Sequence, residues 1–470
     1  LKGSEREGGA AGFGLAADND APFAAKAHIV GTAFLGVELQ CARCHDSPYH
    51  RTTQRDLYSL AAMFERKNVK VPATSKVPPG FFEKKDRESL IKVTLPENES
   101  IEPRFPFNEL LENHEPSSIE DLLVNPTDSR ERLAAVVTAP INKRFAQVIV
   151  NRVWRRYIGA GIVEPPHDWE GQLASHPELL EWLASQFISN GYDLRHLSRL
   201  IFTSQVYQRE ARGQNLDAAP AVRFFASPDR RRLSAEQVVD SMFAASGQQI
   251  DVEEFTFDPE GRRAPDVMIS LGRPSRAWMF ASVSNERDRP SLSLPKAQAV
   301  NDVLEAFGWT STRQNPRTDR ETSPNVLQSG VLANSIVSTW VTRATYRSPL
   351  SELALQAESP QSVVESIFLR FLGRSPTASE QSLFQPALAQ GFSTRRIPDV
   401  QVVLPEPLEP LAPVTWSNHL VEEANAIQLQ VERRARAGDP TDPRIEPNWR
   451  EAYEDFVWSV MNTREFVWIP

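Results

Sequence analysis

The sequence predicts a mainly α protein with long proline-rich loops and little β-structure. Apolar residues recur at helical spacing over long stretches, including 142–163 and 448–466. Between 175 and 210 the pattern predicts a helical hairpin, which Ser175 and Glu178 begin with a Ser-x-x-Glu capping box. Strand and helix patterns do not alternate, which argues against an α/β fold. With 470 residues, of which 40% are apolar, the chain is expected to form two or three domains.

Composition excludes two classes of partner. The formal net charge of −9 argues against a nucleic-acid surface, which needs concentrated Lys and Arg. The basic cluster at 152–157 lies in a helical pattern and is interpreted as a solvated or salt-bridged face. No apolar run has the length of a membrane span. We therefore expect no nucleic acid and no membrane span for this chain.

Changes in composition divide the chain into four predicted segments. In order, they are a flexible lead-in at 1–22, a helical segment at 23–67, a Pro-rich irregular connector at 68–124, and a helical domain at 125–470 with an insert at about 392–447. Within the second segment, one helix is predicted from Phe23 to about Cys41 and another over 53–67. Residues 248–322 are predicted to be irregular.

The most informative motif is Cys41-Ala-Arg-Cys44-His45, which contains both cysteines of the chain. A c-type haem is held by two thioether bonds, and a gap of two residues lets both sulfurs reach the porphyrin from one helical turn. The histidine that follows lies under the iron as the proximal ligand. Its second ring nitrogen is then expected to hydrogen-bond a carbonyl or another acceptor. The motif therefore predicts one covalent haem c on Cys41, Cys44 and His45.

Three alternatives stay open for this motif. A structural zinc site needs four ligands, commonly as two separated pairs, and here one cysteine pair is accompanied only by His45 and His50. A redox disulfide of the thioredoxin type needs a βαβ context, which the sequence lacks. Chance spacing is the third alternative. No Ser-His-Asp set stands out elsewhere. Among other segments, "PHDWE" at 166–170 is the leading candidate for an overlooked site, although a loop between helices with a satisfied histidine is the simpler interpretation.

The ligand on the other side of the iron is less constrained. Met63 follows the proximal histidine by enough chain to return over the distal face, although a core Met beside Phe64 is the simpler interpretation. His50 is close in sequence, and the chain would have to wrap tightly around the porphyrin edge. His28 is excluded if the helix up to Cys41 is continuous, because about 25 Å would then separate it from the proximal histidine.

Several long motifs resemble a known family. "FLGVELQCARCHDSPY" followed by "DLYSLAAMFERK" resembles the cytochrome-C-associated domain of large secreted planctomycete proteins. "NRVWRRYIGAGIVEPPHDW", "RRLSAEQVVDSMFAASG" and "DFVWSVMNTREF" resemble the partner domain of unknown function that follows it. The resemblance covers roughly 27–65 and 125–470. It implies Cys41, Cys44 and His45 as haem residues, export from the cytoplasm, and further family domains upstream of this chain.

Two departures from the family pattern bear on the distal ligand. This chain has Met63 where the family has Phe, and His50 where it often has Asp. If relatives share one distal ligand, these two residues are not it. The resemblance then favours His176 and His196, which match the family pattern.

Three functions remain as hypotheses. The first is an exported c-type cytochrome, periplasmic or on the cell surface, that transfers electrons to a redox partner, to another subunit or to an upstream part of the same precursor. The second is a haem oxidoreductase with an open distal position, where Arg43, Tyr49 or His50 would be distal-side groups. The third is a surface assembly protein with a structural haem, favoured by the large haem-free helical portion and ten tryptophans.

Overall fold

The computed structural model describes residues 22–71, 95, 98–111, 117–212, 224–257, 269–280, 293–309, 323–406, 408–412, 414 and 418–469. Helices hold 55% of these residues and strands 4%, which confirms the mainly α prediction. The chain divides into two compact units, the first built on Leu1–Arg230 and the second on Arg231–Arg313 with Asp319–Pro470.

The boundary between the units lies inside the domain predicted for 125–470. The first unit extends to Arg230. Its boundary does not fall at 125 because Leu133 and Val137, from the start of the predicted domain, are buried in one core with Leu57 and Leu60. The four predicted segments stay a prediction as folding units. Most of the predicted lead-in and much of the connector lie outside the described residues.

The first unit contains seven of the described α-helices and one strand pair. The helices are α1 Pro22–Val30, α2 Gln54–Glu65, α3 Ser117–Glu120, α4 Ser129–Thr138, α5 Lys143–Ile158, α6 Pro177–Ser189 and α7 Leu194–Phe202. The strands β1 (Val69–Lys70) and β2 (Ser100–Ile101) pair antiparallel. Apolar side chains of α1, α2 and α4 form one buried cluster, and those of α5, α6 and α7 form another. Most of the chemistry-bearing residues of the sequence hypothesis lie on these elements or between them.

Local signals explain where the key helices begin and end. Thr53 accepts from the backbone N–H of Asp56, whose carboxylate accepts from the Thr53 N–H, so a capping box begins α2. Asp128 caps α4 through its carboxylate, which accepts from the backbone N–H groups of Arg130 and Glu131. Helix α5 ends at Gly159, which adopts φ 105°.

The predicted continuous helix from Phe23 to Cys41 is wrong. Helix α1 passes into a π-helical turn at Gly31–Leu35, and Gly36 ends it with φ 65°, a conformation that glycine adopts at little cost. The chain then reverses, so that His28 Nε2 lies 2.9 Å from Glu38 Oε1. The distance argument that excluded His28 therefore does not hold, but its ring is buried and already paired with Glu38.

The second unit is also helical. Its described helices are α8 Ala235–Ser246, α9 Pro295–Ala306, α10 Val326–Asn334, α11 Ile336–Thr342, α12 Pro349–Gln356, α13 Pro360–Leu372, α14 Ala378–Ala389, α15 Glu422–Ala437 and α16 Pro447–Met461. Two antiparallel pairs accompany them: β3 (Arg231–Arg232) with β6 (Trp468–Ile469), and β4 (Phe255–Phe257) with β5 (Ile269–Gly272). Residues 248–322 are therefore not wholly irregular: α9 buries Val300 and Leu304 in the core of this unit.

The insert predicted at about 392–447 is anchored to this unit at both ends. Arg395 is buried near its start, and Ala435 of α15 near its end accepts through its carbonyl from Trp340 Nε1 at 2.8 Å. Between these anchors, Val400 and Val403 expose most of their surface. The suggestion that this stretch contacts another molecule stays a prediction.

Among the described residues, no single helix is both long and apolar enough to cross a bilayer. The bent pair Ser129–Thr138 and Lys143–Ile158 has the length and composition of a span only when the two helices are taken together.

Candidate functional site

The Cys-x-x-Cys-His motif forms one tight turn in the loop before α2. Residues Cys41–Arg43 are a 3₁₀ turn, in which the Cys44 N–H donates to the Cys41 carbonyl at 3.1 Å. The His45 N–H donates to the same carbonyl at 3.2 Å, so one helical turn carries both thiols and the imidazole. A c-type haem attachment needs this compact grouping.

The inner side of the turn is fixed to the protein core. Ala42 is fully buried in the cluster that α1, α2 and α4 share. The Tyr58 hydroxyl, on α2, donates to the Arg43 carbonyl at 3.1 Å. Both cysteines are free thiols; Cys41 is half-buried and Cys44 is exposed. The turn therefore presents its sulfur atoms on the outer side of a buried anchor.

The imidazole of His45 is held in one tautomer. Its Nδ1 lies 2.8 Å from the Asp46 carbonyl oxygen, which can only accept, so the proton is on Nδ1. Its Nε2 then carries the lone pair and makes no hydrogen bond to a described residue. Neutral imidazole with one nitrogen hydrogen-bonded to a carbonyl and the other free is the form that binds a metal.

The described residues give no support to a preformed zinc site. No group of three or more His, Cys, Asp and Glu side chains converges among them in a way that could hold a metal ion. A covalent haem does not need such a group, because the porphyrin supplies four ligands and the protein supplies one or two. The donor set of Cys41, Cys44 and His45 therefore fits a c-type haem better than zinc.

The segment after His45 is closed by local hydrogen bonds. The Asp46 carboxylate accepts from the Gln54 N–H at 2.8 Å, and the Ser47 N–H donates to the Thr52 carbonyl at 3.0 Å. The Thr52 hydroxyl donates to the Glu38 carbonyl at 3.1 Å. These bonds tie residues 46–52 to both the start of α2 and the segment that precedes the cysteines. The turn at His45 is thus one closed structure, which we call the CARCH loop (residues 40–54).

A distant segment, "PHDWE" at 166–170, contacts the same loop. The Asp168 carboxylate lies 2.7 Å from His50 Nε2, and the pair is separated by 118 positions in sequence. The Arg51 N–H donates to both oxygens of Glu170, at 2.9 and 3.0 Å. The sequence hypothesis took this segment for a helix-connecting loop, and nothing in its spacing indicates its partner.

Trp169 fixes this segment to the end of the first helix. The backbone N–H of Trp169 donates to the Gly36 carbonyl at 2.8 Å. The indole ring lies so close to Gly36 that a Cβ added there would meet Trp169 Cδ1 at 2.7 Å. The Arg144 guanidinium lies over the same ring, with its central carbon 4.8 Å from the ring centre. Burial lowers the pKa of Arg144 below its ordinary value.

Ser47, His50 and Asp168 form a hydrogen-bonded relay that the sequence did not reveal. Ser47 Oγ lies 2.9 Å from His50 Nδ1, and His50 Nε2 donates to Asp168. A nucleophilic serine needs a free lone pair, but Ser47 Oγ also accepts from the N–H groups of His50 and Tyr49, at 3.1 and 3.4 Å. Pro48, which follows it, has no N–H for an oxyanion. The relay is therefore built to hold the loop.

The two distal-ligand candidates nearest in sequence are already engaged in this conformation. His50 uses both ring nitrogens, on Ser47 and Asp168. Met63, on α2, is 1% exposed and belongs to the buried cluster that α1, α2 and α4 share. Its side chain would have to leave this core to bind iron.

The two candidates favoured by the family resemblance lie on α6 and α7. His176 is the N-cap residue of α6, with Nδ1 3.1 Å from Ser175 Oγ and its ring against Phe225. His196 lies on α7, and its Nε2 is buried with no hydrogen-bond partner in the described part of the chain. The predicted capping box before α6 is wrong, because the Ser175 hydroxyl donates to the Ile162 carbonyl instead. The identity of the distal ligand stays a prediction.

Comparison with known families places this site in context. A family model described as "PSD1: Protein of unknown function (DUF1553)" matches residues 129–388, more than half of the chain. The chain therefore belongs to the PSD1 family. A second model, described as "PSCyt2: Protein of unknown function (DUF1549)", matches residues 16–69, which include the CARCH loop. No curated protein and no solved structure matches the chain.

The two matches confirm the resemblance drawn from the sequence motifs. The two matched regions also contact each other at the CARCH loop. His50 and Arg51 belong to the PSCyt2 region, whereas Asp168, Trp169 and Glu170 belong to the PSD1 region. Both sets lie in the first compact unit, so the PSD1 region supplies one wall of the loop that carries the cysteines.

Proposed function

We propose that this chain is an exported c-type cytochrome that carries one haem on Cys41 and Cys44, with His45 as the proximal iron ligand, and that it transfers electrons. The observation that carries the proposal is the state of His45. Its Nδ1–H donates to the Asp46 carbonyl, its Nε2 makes no hydrogen bond to any residue that the structure describes, and it directly follows two cysteines that form no disulfide. The family name PSCyt2 is in keeping with a cytochrome.

The roles of the protein residues follow from their positions. When bound, the haem supplies a one-electron couple at its iron. Cys41 and Cys44 anchor it covalently, while Ala42 and Tyr58 keep the turn against the core. The hydrogen bond from His45 Nδ1–H to the Asp46 carbonyl orients the ring, so that Nε2 is the nitrogen that would bind the iron. A rigid ligand set reduces structural change on electron transfer.

Two further proposals follow from the same assignment. Because c-type haem is attached outside the cytoplasm, we infer a periplasmic or cell-surface location. We also infer a redox partner, either a separate protein or another part of a longer precursor. Tyr49, with 84% of its surface exposed beside the motif, offers an apolar contact for such a partner.

An oxidoreductase is the second candidate, favoured by one observation. Among the distal-ligand candidates, His50 is held by two hydrogen bonds and Met63 is in the core. If neither binds, and α6 and α7 do not supply a ligand, the sixth position on the iron is open to a small molecule. The third hypothesis, a surface assembly protein with a structural haem, gains no comparable observation.

Spectroscopy of the protein produced with a c-haem maturation system tests these functions. An electron carrier with two axial ligands is expected to show a low-spin reduced-minus-oxidised spectrum that carbon monoxide leaves unchanged. Rapid carbon monoxide binding would instead favour the oxidoreductase. Absence of any haem spectrum, in cells that mature a control cytochrome, would overturn both.

Two histidine variants, His45→Ala and His176→Ala, test the assignment of the iron ligands. Replacing His45 is expected to abolish the low-spin spectrum, because the proximal ligand is lost. His176→Ala changes the spectrum only if this residue is the distal ligand, so the pair of variants also tests that assignment.

A further inference from the structure

We infer that Asp168 is a positioning residue of the haem site, although it belongs to the PSD1 region and not to the PSCyt2 region. It acts through His50 and Ser47 to hold the CARCH loop in the shape that leaves His45 Nε2 free. The inference rests on the proposed function for its link to haem. Its structural part concerns the loop alone and is testable without haem.

The path from Asp168 to His45 consists of short, local contacts. Asp168 accepts from His50 Nε2 at 2.7 Å, and the other ring nitrogen, Nδ1, lies 2.9 Å from the Ser47 hydroxyl oxygen. Ser47 follows Asp46, whose carbonyl fixes the ring of His45. Losing the carboxylate therefore frees the His50 ring to rotate, and Ser47 loses the partner that orients its hydroxyl.

Burial makes the first of these bonds effective. The side chains of His50 and Asp168 are only 17% and 19% exposed, so water competes weakly for the bond. By contrast, the nearby pair of Arg51 and Glu170 has an almost fully exposed arginine side chain, 96% accessible. A screened ion pair of that kind contributes little. Among the contacts of this segment with loop side chains, the Asp168 bond is the one expected to matter.

The second support is the rigidity of the segment that carries Asp168. Trp169, the next residue, is 8% exposed and contacts both Gly36 and Arg144. The backbone N–H of Trp169 also donates to the Gly36 carbonyl, with a donor–acceptor distance of 2.8 Å. Asp168 is thus presented to the loop from an anchored backbone, which is what a positioning residue requires.

Hydrogen exchange and a reduction potential, measured on the full chain, test the inference. Asp168→Ala is expected to speed amide exchange in the peptide covering 45–52 by about tenfold, since it removes a charge-assisted hydrogen bond. Asp168→Asn keeps an acceptor for His50 Nε2 and is expected to restore most of the protection. Glu178→Ala, an exposed carboxylate in the first turn of α6, is the control and should change neither readout.

The same variants distinguish positioning from simple charge. If Asp168 acts by holding the loop, the midpoint potential of the haem shifts in Asp168→Ala and returns toward the wild-type value in Asp168→Asn. Equal shifts in both variants would show a charge effect only and overturn the inference. Unchanged exchange of 45–52 in Asp168→Ala would also overturn it. A wild-type chain without haem would defeat the proposed function, while the exchange result would still decide the role of Asp168 in the loop.

Discussion

At the scale of single residues, Arg395 shows how a buried charge is satisfied without a carboxylate. The side chain is 7% exposed, and its guanidinium donates to the carbonyls of Ala354, Leu355, Ala357 and Phe392. Three of these carbonyls lie at or just beyond the end of α12, where the helix dipole favours a cation. The Phe392 ring lies 3.7 Å from the guanidinium carbon.

Replacing Arg395 is expected to destabilise the second unit strongly. Arg395→Ala leaves several buried carbonyls without a donor, at a cost of about 3 kcal/mol in the free energy of unfolding. Arg396→Ala, at the exposed neighbouring position, is the control and should change it by less than about 0.5 kcal/mol. Urea unfolding of the two variants gives the comparison. Similar stabilities for both would show that the carbonyls are satisfied in another way.

A second residue-scale prediction concerns acid stability. Arg374 donates paired hydrogen bonds to Glu380 and to Glu465. Its bonds to the Glu380 carboxylate are the main reason that the pKa of Glu380 is lowered to about 2. A depressed carboxyl pKa stabilises the fold at neutral pH, and the contribution is lost as pH falls from about 4.5 toward 2. The pair is partly exposed, so the effect is small.

The test is to compare Glu380→Gln with wild type at two pH values. The variant is expected to be less stable by about 1 kcal/mol at neutral pH, and the difference should shrink at about pH 3. Glu365→Gln, on the exposed face of α13, is the control and should match wild type at both. A difference for Glu380→Gln that does not change with pH would contradict the assignment.

At the scale of elements, Gly36 is the position where helix α1, the CARCH loop and the PHDWE segment meet. Gly36→Ala is expected to cost about 1 kcal/mol for the left-handed backbone and about 2 kcal/mol more for displacing Trp169. Gly171→Ala separates the two effects, because Gly171 has φ 72° with nothing within 4 Å of an added Cβ. Chemical denaturation measures both. Equal costs for the two variants would show that the contact with Trp169 is not tight.

Helix boundaries follow local sequence signals where a capping box and a terminal glycine both occur. Ser234 and Gln237 form the capping box that begins α8, and Gly247 ends it. Of the two wrong predictions, one overlooked a local stop signal and the other arose because a tertiary contact replaced a local cap. Gly36 stops an apolar pattern that continues to Cys41, and Ser175 donates to the Ile162 carbonyl instead of capping α6.

At the scale of the whole molecule, the two units have separate cores. Buried residues from 24 to 201 form the clusters of the first unit, and those from 235 to 466 form the cluster of the second. Ile367→Ala and Leu60→Ala each remove a fully buried side chain, at a cost of about 2–5 kcal/mol to the unit that contains it.

Hydrogen exchange resolved by peptide tests this independence. Ile367→Ala is expected to speed exchange of core amides in the second unit and to leave those of the first unchanged. Leu60→Ala should do the reverse. If either variant speeds exchange equally throughout the chain, the units unfold as one cooperative structure.

The candidate site was only half visible in the sequence. Cys41, Cys44 and His45 are adjacent, so their spacing alone indicates their chemistry. The residues that hold this motif in place are distant in sequence. Asp168 bonds to His50 across 118 positions, and a single sequence contains no signal for such a pairing. The Ser47 relay was hidden in the same way, because its third member lies on a segment interpreted as a loop.

The most direct test of the central claim is the mass of the denatured chain, produced in cells that mature c-type haem, with fragmentation to locate any added group. The proposal predicts one haem, bound covalently to the peptide that contains Cys41 and Cys44, and its loss when both are replaced by Ser. An unmodified mass, alongside a fully matured control cytochrome from the same cells, would contradict the claim.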